Sequence, residues 1–143
     1  MSVESILRKK GTGVATIAPD ISVKRAADLL RAKNIGALVV TRENAILGLV
    51  SEREIVDAIS RHSETATSMP VSEIMRHGVI TVSPAETVSH AMNLMTRHRV
   101  RHMPVVHDGE LAGIISIGDV VRHRLDDLEL ETNVLRDAHI ASR

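Results

Sequence analysis

Apolar residues in this chain fall into two alternating patterns, short solid runs and stripes at helical spacing, with turn residues between them. The runs at 14–17, 37–41 and 46–51 in the first half, and at 101–106 and 113–116 in the second, have the length of buried strands. Pro19 stops the first run. Arg42-Glu43-Asn44 turns one predicted hairpin and His107-Asp108-Gly109-Glu110 turns the other. Helical stripes fill the gaps. Val3, Ile6 and Leu7 mark a short helix over 3–9, expected to lie as a flap against the body. Ser22 caps a helix whose apolar face is Val23, Ala26, Ala27, Leu30 and Ala32 and which Asn34 and Gly36 end. Further helices are predicted over 52–60, over 88–98 behind Thr87, and from 119 toward 138. Residues 61–70, polar and rich in Ser and Thr, predict an exposed linker.

The second half repeats the first. At an offset of 65, Thr16-Ile17-Ala18-Pro19 faces Thr81-Val82-Ser83-Pro84, and Gly48-Leu49-Val50-Ser51 faces Gly113-Ile114-Ile115-Ser116, with no gap. Val14, Val23, Ala26, Leu29, Val40 and Val56 recur as Val79, Val88, Ala91, Leu94, Val105 and Val121. Upstream, residues 3–7 resemble 71–75 at an offset of 68, so the first copy is three residues longer within 9–13. The element order in each copy is strand, helix, strand, strand, helix. A unit of this size buries little surface alone, so the copies should pack together. The expected division is 1–62, a linker at 63–70, a second domain at 71–125, and a helical extension at 126–143.

Composition narrows the functional classes. Eighteen Lys and Arg balance eighteen Asp and Glu, so no global field draws the chain to nucleic acid or to a membrane surface. Without cysteine there is no disulfide framework, thiolate metal site or cysteine nucleophile. No run approaches the roughly 20 apolar residues of a membrane span, and the N-terminus lacks a signal peptide's apolar core, so a cytoplasmic protein is expected. With no Phe, Tyr or Trp, the core must be aliphatic plus methionine, and no aromatic platform exists for stacking single-stranded nucleic acid.

The candidate chemistry sits where the second strand of each hairpin meets a helix. Ser116 takes the N-cap position and Asp119 the third helical position. This pair can cap the helix or grip a vicinal diol such as a ribose. Ser51 and Glu54 are the equivalents in the first copy, where the S-x-x-E spacing is that of a capping box. The basic run Arg97-His98-Arg99-Val100-Arg101-His102 closes a helix, where positive charge suits the dipole. His98 and His102 lack the intervening Glu of a zinc-protease helix, no Gly-rich phosphate loop is present, and no serine sits in a nucleophile elbow. No catalytic or metal-ligating set is therefore predicted.

The repeat length, the element order, the endings GLVSEREI and GIISIGDVV, and the run RHMPVV together resemble the cystathionine-β-synthase (CBS) domain family, over residues 3–125. Two copies in tandem resemble a stand-alone CBS pair, or Bateman module. The resemblance implies an α+β fold of two β-α-β-β-α repeats packed with pseudo-two-fold symmetry around two clefts. It implies a non-enzymatic sensor that binds an adenine nucleotide such as AMP, ATP or NAD and signals to a regulated protein. The alternative is a ligand-independent dimerisation or docking scaffold. Carried over by position, Ser116, Asp119, Ser51 and Glu54 would hold ribose. Thr12, Val14, Ile35, Gly36 and Ala37, with His77, Val79, Val100, Arg101 and His102, would form the base slots. Arg101 and His102 would reach phosphates in the sister cleft, a role the guanidinium fork suits. Because Glu54 replaces the family's Asp, the Ser116/Asp119 cleft is expected to be the tighter one. The stripe Leu125, Leu128, Leu135 and Ala138 on the last helix has no counterpart in the first copy, which predicts a homodimer.

Overall fold

The structure, a computed structural model, describes residues 1–141; Ser142 and Arg143, the end of the expected extension, lie outside the described residues. The first repeat has strand β1 (Thr16–Ile17), helix α2 (Val23–Lys33), the hairpin β2 (Ala37–Arg42) and β3 (Ala45–Ser51), and helix α3 (Glu52–His62). Helix α1 (Val3–Lys10) precedes it. The second repeat has helix α4 (Val88–His98), the hairpin β4 (His102–His107) and β5 (Glu110–Ser116), and the long helix α5 (Ile117–Ala141). The fold is α+β, with two small sheets, one per repeat.

Local chemistry sets these boundaries as the sequence predicts. The Ser22 hydroxyl accepts from the Arg25 N–H at 3.1 Å, and the Thr87 hydroxyl accepts from the His90 N–H at 3.0 Å, capping α2 and α4. Each of these helices ends on a left-handed residue, Asn34 at φ 51° and Arg99 at φ 55°. The hairpins turn on two residues with positive φ, Glu43-Asn44 and Asp108-Gly109, the conformation that matches the twist of paired strands. The first turn is thus one residue shorter than predicted, because Arg42 still pairs with Ala45. Each ladder slips once, between Val40 and Thr41 and between Val105 and Val106, at equivalent positions of the two repeats.

The repeats differ at the first strand. In the first, β1 pairs in parallel with β2, and the Val39 N–H donates to the Ala15 carbonyl at 3.1 Å. In the second, the expected strand is reduced to a single parallel bridge between Val82 and Val105. Pro104 stands where Val39 stands in the first repeat, and it has no N–H to donate. The segment at 61–70 also departs from an exposed linker: Ser63–Ser68 forms a 3-10 helix whose Ala66 is fully buried.

Each repeat lends its leading segment to the other. Val3, Ile6 and Leu7 of α1 are buried in one cluster with Val88, Met95, Met103, Val105 and Ile115 of the second repeat. They are core, not a flap. Val71, with Ile74 and Met75 packed beside it, joins Leu30, Leu38, Val40 and Val50 of the first repeat. The exchange is fastened by equivalent backbone bridges, Ser2 to Thr87 and Ser22 to Pro70. Leu7 packs against Gly113, where a Cβ would lie 2.6 Å from its Cδ2 atom, and Met75 packs against Gly48, where a Cβ would lie 2.5 Å from its sulfur. Gly48 and Gly113 are separated by 65 residues, and Leu7 and Met75 by 68, so the pseudo-two-fold relates the two contacts.

Candidate functional site

The exchange brings the start of one repeat's last helix opposite the entry to the other repeat's hairpin, twice, and leaves a cleft at each junction. The first cleft, about 650 Å³, is lined by Ser51, Arg53 and Glu54 at the start of α3, and by Gly78, Val79, Ile80 and 99–102 from the second repeat. The second, about 520 Å³, is lined by Ser116 and Ile114, by Gly13, Val14 and Ala15, and by 33–37 from the first repeat, with Lys10 and His102. Val14, Ile35 and Ala37 therefore stand in the second cleft and Val79, Val100 and Arg101 in the first, each set facing the hydroxyl of the other repeat. Thr12 and His77 lie outside both linings, each one residue short of a glycine that does line a cleft.

Both hydroxyl and carboxylate pairs close on themselves. The Ser51 N–H and its hydroxyl donate to Glu54 Oε1 at 2.9 and 2.8 Å, forming the capping box. The Ser116 N–H donates to Asp119 Oδ2 at 2.8 Å, and the Asp119 N–H donates back to the Ser116 hydroxyl at 3.1 Å. Capping leaves acceptor capacity on each carboxylate, since an ionised carboxylate has about four acceptor directions. Asp119 carries a further partner that sequence reading missed. Lys10 Nζ donates to Asp119 Oδ2 at 2.6 Å and to the Ile114 carbonyl at 3.0 Å. Burial raises the Asp119 pKa, but the Lys10 and Ser116 hydrogen bonds outweigh it and hold the carboxyl below its ordinary value. Lys10 lies 109 residues from its partner, inside the segment where the first copy is longer, so the repeat alignment gives no signal for it.

His102 and Gly36 line both clefts. They are in contact: a Cβ on Gly36 would stand 2.8 Å from His102 Nε2, so the missing side chain makes room for the imidazole between the two sites. Burial, and after it the charge of Lys10, lower the His102 pKa, against opposing pulls from Glu54 and Asp119. The folded protein therefore resists protonating this ring, and the unfolded chain takes up the proton first as pH falls. The stability His102 contributes is complete above its unfolded value of about 6.5 and is lost as pH falls through the folded value. Comparing His102→Gln with the wild type in urea titrations from about pH 7 to about pH 5 should show a flatter profile for the variant. Equal pH slopes for the two proteins would contradict the assignment.

The clefts differ in charge. Arg53, Arg76, Arg99 and Arg101 surround the first, against Glu52 and Glu54. Only Arg101 of these was expected there. Arg99 reaches the rim through its left-handed backbone, which costs a non-glycine residue of order 1 kcal/mol. The second cleft holds Lys10 and Lys33 instead. The sequence profile of the CBS domain matches residues 3–61 and 71–126, the two repeats. The chain belongs to the CBS-domain family. This CBS pair is 41% identical to the CBS-domain containing protein ATU1752 from Agrobacterium tumefaciens, with a TM-score of 0.84 over 87% of this chain and 99% of that one. It is 30% identical over 119 residues to the CBS domain-containing protein YhcV of Bacillus subtilis, covering 81% of this chain and 82% of YhcV. The CBS domain pair of protein MJ0100, solved in complex with 5-methylthioadenosine and S-adenosyl-L-methionine, is 26% identical with a TM-score of 0.79, over 89% of this chain and 98% of that one. Among the described residues of this CBS pair, no helix is long and apolar enough to cross a membrane.

Proposed function

We propose that this CBS pair is a non-enzymatic sensor that binds an adenine nucleotide in the clefts between its repeats and passes the change to a regulated protein. The observation that carries the reading is the composition of each cleft from both repeats. An aliphatic entry segment from one repeat faces a hydroxyl from the other, with cationic side chains beside them: Ser51 with Glu54 in the first cleft, and in the second Ser116, to which Asp119 is joined by mutual hydrogen bonds. Val79, Ile80 and Val100 can enclose a purine while backbone groups read its edge, and a few placed polar groups fix its orientation. The four arginines of the first cleft favour a ligand with several phosphates, such as ATP or NAD; the second, with two lysines, suits AMP. This reverses, for ligands with several phosphates, the ranking expected from Glu54, because Lys10 also occupies Asp119 and three further arginines join Arg101 in the first cleft. The adenosine ligands of the MJ0100 pair support the adenine class. Equilibrium dialysis with AMP, ATP and NAD tests the proposal: retention of at least one supports it, and retention of none leaves the scaffold reading.

Asp119→Ala should weaken AMP binding at the second cleft by about 1.5–3 kcal/mol, the range for hydrogen bonds to a charged group. It should leave the fold standing, with about 1 kcal/mol lost from the α5 cap. Calorimetry giving the same AMP affinity in a folded variant would remove Asp119 from the ribose role.

We also infer a homodimer. Leu125, Leu128 and Leu135 are exposed along α5. A stripe of this extent meets a symmetry mate more economically than water. Light scattering on a chain stopped after Asp127 should report a monomer. A dimer there would move the interface to the shorter faces of α3 and α5.

A further inference from the structure

The two repeats differ most sharply in how one strand carbonyl is satisfied. In the first repeat the Leu49 carbonyl accepts from the Arg76 N–H at 2.8 Å, a backbone bridge. The equivalent carbonyl in the second repeat, Ile114, accepts instead from the Lys10 ammonium at 3.0 Å. In the second repeat the side chain of the last residue of α1 takes the place of a backbone donor. Its second bond, 2.6 Å long, goes to Asp119, the carboxylate offered to a ribose. Lys10 and Asp119 are 34% and 16% exposed, so the pair is open enough to exchange partners and buried enough that neither charge is solvated well alone.

We propose that Lys10 is a ligand-exchange residue that makes the second cleft select phosphorylated nucleosides over neutral ones; this rests on the adenine-nucleotide reading above. Asp119 Oδ2 takes both the ammonium and the Ser116 N–H, so a ribose diol that grips both carboxylate oxygens competes with the ammonium for Oδ2. A neutral nucleoside displaces Lys10 and leaves a half-buried cation without an anion, a costly outcome in a poorly solvated site. A nucleoside monophosphate brings the replacement. Lys10 has three donors, so it can keep the Ile114 carbonyl as a pivot and turn from the carboxylate to the phosphate, with charge balanced throughout. In the first cleft the Glu54 carboxylate is bonded, among the described residues, by the Ser51 N–H and hydroxyl and carries no ammonium, so any preference for phosphates there rests on the arginines and not on an exchange of partners.

The test follows AMP and adenosine by methyl NMR at Ile114 and Val14, which line the second cleft and not the first. Wild-type protein should bind AMP at least about tenfold tighter than adenosine, the scale of one charge-assisted contact. Lys10→Met should weaken AMP, strengthen adenosine, and bring the ratio close to one, whereas Lys10→Arg should keep the wild-type preference. A ratio unchanged in Lys10→Met would overturn the exchange role while leaving nucleotide binding intact. If neither ligand moves Ile114 or Val14 in any of the three proteins, both the exchange role and the nucleotide reading of this cleft fall.

Discussion

A chain lacking residues 1–10 should lose the folded second repeat, although the deleted helix precedes the first. Val3, Ile6 and Leu7 are 0%, 4% and 5% exposed, and all three belong to the second repeat's core. At about 1.5–3 kcal/mol for each fully buried aliphatic side chain, their removal costs about 5–9 kcal/mol as an upper estimate. That is comparable with the entire stability of a typical domain, about 5–15 kcal/mol. The deletion also strips the Glu86 and Pro84 carbonyls of the Val3 and Glu4 N–H groups, at 2.8 and 2.9 Å, and the Val88 N–H of the Met1 carbonyl. Urea unfolding should therefore show no cooperative transition for the second repeat, with Met103 and Ile115 methyl signals collapsed toward random-coil positions. The single substitution Leu7→Ala should cost about 2–5 kcal/mol with the fold retained. A truncated chain with an unshifted midpoint would mean that α1 is a flap after all.

Arg101→Glu should weaken ATP binding at the first cleft by about two to three orders of magnitude. Loss of a charge-assisted phosphate contact accounts for about 1.5–3 kcal/mol. The reversed charge then repels the phosphates, and a unit pair near the surface at 4 Å interacts by as much as about 4 kcal/mol before salt screening reduces it. Arg53, Arg76 and Arg99 remain in the cleft and limit the loss. AMP, with one phosphate, should lose less than ATP, and Arg101→Lys should fall between because an ammonium cannot make the bidentate grip. Calorimetry at two salt concentrations measures both the loss and its screening. An ATP affinity unaffected by Arg101→Glu in a folded protein would place the phosphates elsewhere.

Much of this architecture is legible in the chain because it is written twice. Offset identities locate both hairpins, the caps at Ser22 and Thr87 mark two helix starts, and Asp108-Gly109 marks a turn. Self-similarity shows that residues 3–7 and 71–75 are equivalent, but an exchanged and an unexchanged partner satisfy the same apolar pattern. Only the packing of Leu7 on Gly113 and Met75 on Gly48 decides between them. Polar composition at 61–70 conceals the one buried alanine that holds the segment down. Pro104 sits within a run that reads as an unbroken buried strand, and its missing N–H explains the shortened strand at Val82. The clefts follow the same division. Ser51, Ser116, Val79 and Arg101 line the clefts and can be picked out by motif position, while Lys10 and the placement of His102 between the clefts depend on contacts that no local spacing encodes.

The central claim is that the junctions between repeats are nucleotide sites, and a methyl NMR titration with ATP tests it most directly. Val79 and Val100 report on the first cleft, Val14 and Ile35 on the second, and Leu125 on the exposed face of α5. Saturable shifts are expected at Val79 and Val100 at the lowest ATP concentrations and at Val14 and Ile35 at higher ones, with Leu125 unmoved by direct contact. Flat titrations at all four cleft valines and isoleucines with millimolar ATP, AMP and NAD, or saturable shifts confined to Leu125, would contradict it.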